Sequence, residues 1–350
     1  MNKLPLISII TPSLNQGRFI EETILSVKFQ DYPHIEHIVI DGGSTDETID
    51  VLKKYENQYN LKWISEPDKG QSDALNKGLR MAKGKIIGWL NSDDTYQPQA
   101  VKKIVETFLK YPEVDIIYGK CNFINENNEI SGSSNLKPFT LKALSKHQLN
   151  PSVAVFYQKG VFEKIGDFNF SLQFVMDYDF YIRIAKKRLN IKGIDIILAN
   201  FRSHFLSKTF TLHNWRREDL TIFFKYFSPS TWEKPLARFA TAMVIEKSYN
   251  FEKVKQILKK ELLNTEKIKS DLIDNLVLRS VLLSKLEILK IYAFKKNRIK
   301  TFCEGLKILF QDPILFKEVS TLFLRLLLGR QICHLLKKDL QLYSQQEDLN

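Results

Sequence analysis

The chain has 350 residues, of which 44% are hydrophobic and 26% charged, and its formal net charge is +12. These proportions are ordinary for a globular protein, so they exclude a chain that is mainly disordered, collagen-like or of low complexity. At roughly 150 residues per domain, the length predicts two domains.

The first hundred residues alternate short apolar runs with stretches of helical periodicity. The apolar runs predict four buried strands: Leu6–Thr11, Ile35–Ile40, Leu61–Ser65 and Ile86–Leu90. Apolar residues recur at helical spacing in Phe19–Val27 and in Ser72–Ala82. Ser44 and Glu47 have the spacing of a capping box, which predicts a helix that begins there and continues through Tyr55.

Carboxylates collect after the predicted strands. Alternation of helices with continuously apolar strands is typical of an α/β fold with a mostly parallel sheet covered by helices on both faces. Ligands of such sheets bind outside the carboxyl ends of the strands. Asp41 follows the second strand, Asp68 the third, and Asp93 with Asp94 the fourth. We therefore expect these side chains to share one edge of the sheet.

The sequence changes in character after residue 214, where glycine becomes rare and Leu, Ile and Lys dominate. Helical periodicity in Val254–Leu262 and Leu276–Leu286 predicts packed helices. We therefore predict a first domain at 1–214 and a basic α-helical domain at 215–350. The second range holds 25 Lys and Arg against 16 Asp and Glu, whereas the first holds 27 against 24.

The positive charge of residues 215–350 has two interpretations. Solvated helix faces are the simpler one. A surface that meets an anionic membrane or substrate is the alternative, and the aromatic residues of 223–227 around Lys225 suit such an interface. No nucleic-acid-binding motif accompanies the charge, so we expect no nucleic-acid partner.

Neither the apolar segments nor the cysteines point to a membrane or secreted protein. Leu6–Ile10 is too short for the apolar part of a signal peptide. Ile314–Leu328 contains three charged residues, whereas a spanning helix needs about 20 mostly uncharged ones, so we expect no transmembrane segment. The three cysteines form no CxxC pair, which favours a reducing compartment.

Two adjacent carboxylates, Asp93 and Asp94, are the strongest single feature. Adjacent carboxylates repel each other unless they are solvated or neutralised by a cation. Mg²⁺ and Mn²⁺ prefer oxygen ligands and often bridge to phosphates, so a metal site is one interpretation. A polar helix N-cap is the other, because Asp is favoured at that position and Pro98 follows.

Three further positions carry an alternative each. Asp41 precedes a predicted helix and suits a hydrogen bond to a base N–H or a sugar hydroxyl, or merely a turn. Asp177 and Asp179 lie two residues apart at a predicted helix start, so they cannot face the same way, and one of them suits a general base. Both could instead favour the helix dipole. His204 alone is more often a surface or core residue than a ligand.

Several enzyme classes are unsupported by the sequence. It contains neither HExxH nor GxSxG, which argues against a zinc protease and a serine hydrolase. It contains neither GxGxxG nor a Walker A loop, so those modes of dinucleotide or ATP binding are unsupported as well.

Five segments stand in a specific order within residues 4–210: Ile9–Asn15, Ile40–Asp46, Glu66–Gly78, Leu90–Asp94 and the region of Asp177–Asp179. In order and spacing they resemble the family 2 glycosyltransferases, which have the GT-A nucleotide-sugar fold. The resemblance implies a Rossmann-like sheet followed here by an α-helical C-terminal region. It also implies inverting transfer from a nucleoside-diphosphate sugar, with UDP the expected nucleotide, to a hydroxyl of a glycan or lipid-linked glycan.

The resemblance also implies roles for individual residues. Those expected to bind the nucleotide sugar are Thr11, Pro12, Asp41, Asp68, Ser72 and Asp93. Asp94 would coordinate Mn²⁺ or Mg²⁺, and His204, within a segment similar to R-x-H-x-x-S-K-T, would be a further metal contact. Asp177 would be the base that deprotonates the acceptor. Asn91 departs from the pattern, since many members have Asp there, and residues after 214 match no pattern.

The expected setting is surface polysaccharide synthesis in the cytoplasm, with peripheral contact at the inner face of the cell membrane through the basic region. The acid–base chemistry is consistent with inverting transfer, because one carboxylate on the face opposite the leaving diphosphate suffices for a single displacement. The alternative is a catalytically inactive binding module that keeps the nucleotide-sugar fold and acts through its helical C-terminal region.

Overall fold

The computed structural model describes residues 4–147, 149–204, 207–208, 212–247, 250–265, 267–268 and 270–294. The chain divides into two compact units, Met1–Thr211 and Leu212–Asn350. The first unit is α/β, and the described part of the second is helical.

The first unit is built on one nine-stranded sheet. Its strands are β1 Ile7–Ser13, β2 Ile35–Asp41, β3 Leu61–Ser65, β4 Ile86–Trp89, β5 Thr95–Tyr96, β6 Ile116–Ile124, β7 Ile130–Ser133, β8 Val155–Gln158 and β9 Ile191–Arg202. Their order is β3-β2-β1-β4-β8-β6-β9-β5, with β7 paired to β6. The four predicted strands form the parallel part, β3-β2-β1-β4. The strand β8 is antiparallel to both of its neighbours, β4 and β6.

Helices cover this sheet, and the α/β prediction is confirmed. They are α1 Gly17–Lys28, α2 Thr48–Tyr55, α3 Gln71–Met81, α4 Ala100–Lys110, α5 Leu141–Leu144, α6 Gly160–Ile165 and α7 Met176–Lys187. The strand β1 is buried along its whole length, as expected of a strand with helices on both faces. The helix α4 contributes Val101, Ile104, Val105 and Phe108 to the same core as β1 and β6.

The predicted capping box at Ser44 and Glu47 is wrong. The helix α2 begins at Thr48, its N-cap residue is Glu47, and no side-chain capping hydrogen bond is formed there. Ser44 instead donates its hydroxyl hydrogen to Asp41 and accepts a hydrogen bond from the backbone N–H of Asn15. A local sequence pattern does not reveal these partners, because Asn15 lies 29 residues away.

A close contact between α3 and β1 gives a test of the core. A Cβ added to Gly78 would collide with Cγ2 of Ile10, a fully buried residue of β1. We therefore expect Gly78→Ala to lower the free energy of unfolding by about 1–3 kcal/mol, because overpacking outweighs the gain in helix propensity. Gly160→Ala is the matched control, since a Cβ at Gly160 meets nothing within 4 Å. Urea unfolding of both variants measures the difference, and equal stabilities would contradict the packing argument.

The second unit packs four described helices: α8 Leu212–Tyr226, α9 Glu233–Lys247, α10 Phe251–Leu263 and α11 Ser270–Phe294. Of the aromatic residues in 223–227, Phe223 is buried and Phe224 packs against the buried Trp232, with ring centroids 4.5 Å apart. These two side chains are therefore used inside the helical unit. Among the described helices, none is both long and apolar enough to cross a membrane.

Candidate active site

The carboxyl ends of the first three strands meet in one row. The strand register sets Ser13 opposite Asp41 and Asp41 opposite Ser65. Asp41 is fully buried, and its carboxylate accepts hydrogen bonds from the hydroxyls of Ser44 and Ser65 and from the backbone N–H groups of Gly43 and Ser44. Its oxygens therefore hold the turn after β2 in shape, which is the turn interpretation of this residue.

The loop after β1 and the loop after β2 are joined by hydrogen bonds. Three consecutive backbone N–H groups donate to three side chains: Asn15 N to Ser44 Oγ at 2.7 Å, Gln16 N to Thr48 Oγ1 at 3.0 Å, and Gly17 N to Asp46 Oδ2 at 2.9 Å. In return, the side chain of Asn15 accepts from the backbone N–H of Thr45 at 2.9 Å. The two loops that border the edge of the sheet are thus held as one rigid wall.

Three of the expected nucleotide contacts lie below the surface. Thr11 and Pro12 are buried within β1, and the Thr11 hydroxyl hydrogen-bonds the fully buried ring of His37 at 2.9 Å. Burial lowers the pKa of His37 to about 3, which keeps its ring neutral. Ser72 is 1% exposed, and its hydroxyl donates to the carbonyl of Leu172 at 3.0 Å. These side chains therefore support the edge of the sheet from inside the protein.

Asp68 lies at the surface of the same edge. It is half-buried, accepts from the backbone N–H of Gly70 at 2.7 Å, and closely approaches Gly42, where a Cβ would lie 2.9 Å from Asp68 Oδ2. Burial raises the pKa of this carboxyl group above its ordinary value. Glycine at position 42 therefore leaves the space that Asp68 needs next to the turn after β2.

Asp93 and His204 form a pair across the sheet. Asp93 Oδ2 and His204 Nε2 are 2.9 Å apart, although the residues are 111 positions apart in sequence. The side chain of His204 is 2% exposed and packs on Phe19, whereas that of Asp93 keeps 20% of its surface. A carboxylate oxygen and an imidazole nitrogen thus converge at a point that solvent reaches from the Asp93 side.

Asp94 points the other way, into the protein. It is 1% exposed, and its two oxygens accept from the backbone N–H of Arg202 at 2.8 Å and from the side-chain amide of Asn91 at 2.9 Å. Burial, reinforced by the charge of Asp93, raises the pKa of Asp94 well above its ordinary value. The adjacent carboxylates therefore differ in environment: Asp93 is paired with His204, and Asp94 is held by protein donors.

Arg202 connects the end of β9 to the loop that carries Asp93 and Asp94. Its Nε donates to the backbone carbonyl of Asp93 at 2.8 Å, and its guanidinium forms an ion pair with Glu22 at 2.7 Å. The Arg202 side chain is buried, whereas Glu22 keeps 44% of its side-chain surface, so solvent reaches the ion pair from the Glu22 side. Because Arg202 is the last residue of β9, it brings the segment that carries His204 up to the loop after β4.

The two acidic residues at the start of α7 are separated as expected. Asp179 is buried and forms an ion pair with Arg183 at 2.8 Å, one turn later. Asp177 is half-buried and accepts from the backbone N–H of Tyr178 at 2.8 Å. Burial raises the pKa of Asp177 to about 6. A carboxylate with a raised pKa is suited to proton transfer near neutral pH, whereas Asp179 has a structural partner.

Two residues of the edge carried no role in the sequence analysis. Ser13 is buried, and its hydroxyl has no hydrogen-bond partner within the part of the chain that the structure describes. An unpaired hydroxyl in the row of Asp41 is a candidate ligand contact. Arg202 is the other. The sequence signals that could have found them are the segment Ile9–Asn15, which contains Ser13, and the R-x-H segment, in which Arg202 is the Arg.

The residues present fit a divalent cation of the Mn²⁺ or Mg²⁺ type. Among the residues described, no group of three or more His, Cys, Asp and Glu side chains is arranged to hold a metal. Asp93 Oδ2 and His204 Nε2 share a hydrogen at 2.9 Å, and once a cation replaced that hydrogen they would supply one oxygen and one nitrogen ligand. Mg²⁺ in particular is usually bound by one or two protein ligands together with substrate phosphates and water. A two-ligand site is therefore consistent with a metal that is shared with a diphosphate.

Comparison with known proteins shows which family the chain resembles. A family model described as glycosyl transferase family 2 matches residues 8–166. An uncharacterised glycosyltransferase of Mycobacterium tuberculosis is 33% identical over 191 residues, which are 53% of this chain and 71% of that protein. A PGL/p-HBAD biosynthesis glycosyltransferase of Mycobacterium bovis is 28% identical over 56% of this chain and 77% of its own length. The fold and these relatives define a glycosyltransferase.

The solved structures show the same fold. The crystal structure of Staphylococcus aureus TarS 1-349 in complex with UDP superposes with a TM-score of 0.51 at 17% identity, covering 80% of this chain and 90% of that one. The complex of the same protein with UDP-GlcNAc gives a TM-score of 0.50. The chain thus belongs to glycosyltransferase family 2 and has a GT-A-like fold.

Proposed function

We propose that this glycosyltransferase moves a sugar, with inversion, from a nucleoside-diphosphate sugar to a hydroxyl of a glycan or lipid-linked glycan. UDP is the proposed nucleotide, and TarS, whose structures contain UDP and UDP-GlcNAc, is the similar protein that supports it. Surface polysaccharide synthesis is the proposed setting. The observation that carries the proposal is the edge at the strand carboxyl ends, where Asp68 follows β3 and Asp93, which follows β4, pairs with His204.

The proposed donor pocket has a rigid wall and two accessible carboxylates, Asp68 and Asp93. The joined loops after β1 and β2 form the wall, with Asp41 and Thr11 supporting it from behind. Asp68 and Ser13 would contact the base and the ribose. Residues 1–214 would form the catalytic domain and residues 215–350 a separate basic helical domain.

Asp93 and His204 would hold the divalent cation, with Asp94 supporting them from within the protein. The cation, when bound, would offset the negative charge that develops on the leaving diphosphate. His204 is held by its packing on Phe19, and Asp93 is held by Arg202, which donates to its backbone carbonyl. Both metal ligands are therefore oriented before the nucleotide sugar arrives.

Asp177 is the proposed general base. It would accept the proton of the acceptor hydroxyl while the sugar carbon, on losing the diphosphate, gains oxocarbenium character. Its pKa of about 6 leaves it ionised at neutral pH and still basic enough to share the proton late in the reaction. One base on the face opposite the leaving group gives a single displacement, and therefore inversion.

Calorimetric titration of UDP, GDP and dTDP into the full chain, with and without Mn²⁺, tests the proposal. We expect UDP to bind, and Mn²⁺ to tighten that binding, because the diphosphate and the Asp93–His204 pair would share the cation. No binding of any nucleotide to a folded sample would overturn the donor site. It would favour instead the binding module that acts through the helical unit.

A location at the inner face of the cell membrane is part of the same proposal. A lipid-linked acceptor lies at that surface, and the excess of nine positive charges in residues 215–350 suits an anionic membrane. Co-sedimentation of the full chain with anionic vesicles, compared with neutral vesicles, measures this contact.

A further inference from the structure

Asn91 is the centre of a hydrogen-bond network directly after β4. Its Oδ1 accepts from the indole Nε1 of Trp89 and from the side-chain amide of Gln71, both at 2.7 Å. Its Nδ2 donates to Asp94 Oδ2 at 2.9 Å. The indole can only donate, so the atom that faces it must be an oxygen, and the orientation of the amide is defined by its partners.

The network requires an amide at this position. A carboxylate could accept from Trp89 and Gln71, but its second oxygen would face Asp94 Oδ2 at hydrogen-bond distance, and when both groups are ionised no hydrogen lies between them. Two carboxylates so placed repel each other, and Asp94 cannot turn away because its other oxygen accepts from Arg202 N at 2.8 Å. An apolar side chain would leave the Trp89 indole and Asp94 without this partner.

The same network reaches the candidate metal pair. It runs from Asn91 through Asp94 to Arg202, and so joins the end of β4 to the end of β9. Arg202 also donates to the carbonyl of Asp93, and His204 follows two residues later. The distance of 2.9 Å between Asp93 Oδ2 and His204 Nε2 thus depends on contacts made by the two neighbours of that pair.

We propose that Asn91 is a positioning residue for the Asp93–His204 pair, acting through Asp94 and Arg202 rather than on the donor itself. Both lone pairs of its Oδ1 are occupied within the protein, so this oxygen has no capacity left for a ribose hydroxyl. The inference rests on the proposed function, because it takes the Asp93–His204 pair as the diphosphate and cation site.

Exchanging the two side chains tests the inference. Asn91→Asp alone places two carboxylates together, and Asp94→Asn alone places two amides together, so we expect each to lower kcat about tenfold to a hundredfold. The Asn91→Asp/Asp94→Asn double variant restores one amide and one carboxylate in reversed order, with the same net charge and the same set of donors. We expect it to recover most of the lost kcat, so that the losses are strongly non-additive.

Two further measurements separate positioning from general stability. Calorimetry of UDP with Mn²⁺ should show weakened binding in both single variants and recovery in the exchange variant. The thermal midpoint of Asn57→Asp, a matched change at an exposed residue in the turn before β3, sets the reference for an ordinary Asn-to-Asp substitution. Because each single change also disrupts a buried hydrogen bond, we expect its thermal midpoint to fall below that of Asn57→Asp. A loss of UDP and Mn²⁺ binding in single variants that are still folded at the assay temperature, with recovery in the exchange variant, supports a positioning role.

The outcomes also distinguish this inference from the proposed function. Normal kcat and UDP binding in Asn91→Asp would overturn the positioning role while leaving the donor site intact. An exchange variant as weak as Asp94→Asn would also overturn it, because Asp94 would then act directly as a carboxylate. If the unmodified chain binds no UDP with Mn²⁺, the proposed function fails. The network itself would still be tested by recovery of the thermal midpoint in the exchange variant.

Discussion

Asp177→Asn is expected to reduce transfer by about 10³-fold while leaving the protein folded. The amide keeps the size of the side chain and an oxygen that can accept from Tyr178 N, but it cannot take a proton from the acceptor. General-base contributions are typically 10²–10⁴-fold, which sets the expected loss. The measurement is kcat with saturating donor and acceptor, together with UDP binding, which should be unchanged because Asp177 is assigned to the acceptor side.

The same carboxylate predicts a pH dependence of activity and of stability. The pKa of Asp177 is raised from 3.8 to about 6, so kcat/KM should fall as the pH drops through about 6 and the base becomes protonated. The native state binds this proton more tightly than the unfolded state does. The free energy of unfolding should therefore fall as the pH rises from about 4 to about 6 and Asp177 ionises. Asp177→Asn should therefore be at least as stable as the unmodified chain at pH 7.

Asp179→Asn is the matched control, two residues further along α7. It weakens the ion pair with Arg183, so the thermal midpoint should fall while kcat is largely kept. The roles of the two residues are wrong if Asp179→Asn abolishes transfer and Asp177→Asn does not.

Asp93→Asn and His204→Ala are expected to remove the effect of Mn²⁺ on UDP binding and to lower kcat by about 10²-fold or more. Asn at position 93 removes the negative charge that attracts the cation, and Ala at position 204 removes the nitrogen ligand 2.9 Å from Asp93 Oδ2. Asp93 keeps 20% of its side chain exposed, so little packing is lost with Asn. Calorimetry of UDP with and without Mn²⁺ measures the effect directly.

Asp94→Ala provides the contrast. Asp94 is 1% exposed, and its loss leaves the N–H of Arg202 and the amide of Asn91 without their acceptor. We expect the free energy of unfolding to fall by about 1–3 kcal/mol. If Asp94→Ala stays fully stable while only the Mn²⁺ effect disappears, the assignment of the metal to Asp94, as expected from the sequence, is the better one.

Regular local patterns made the parallel half of the fold predictable. Ile35–Ile40 and Leu61–Ser65 are short, mostly apolar runs, and the structure has strands at nearly the same bounds, with β2 buried along most of its length and the edge strand β3 only partly buried. The strands β6 to β9 were not predicted from the sequence. The strand β8 pairs antiparallel with β4 and with β6, and this pairing depends on residues far apart along the chain.

The candidate site shows the same limit at the scale of single side chains. The position of Asp68 and Asp93 at strand ends follows from the carboxyl-end rule, and the divergence of Asp177 and Asp179 follows from helix geometry. Which of Asp93 and Asp94 faces outward does not follow, because both are the same residue type in the same loop. The choice is made by Asn91 and Arg202, and the latter lies 108 positions from Asp94.

The link between β4 and β9 has a consequence for the order in which this protein matures during its synthesis. Residues 8–166, the stretch matched by the family model, can emerge from the ribosome while β6 still lacks its partner β9. Contacts of such long sequence separation carry a large loop-closure cost and form late. About a hundred further residues must therefore be synthesised after Asp93 before His204 can pair with it.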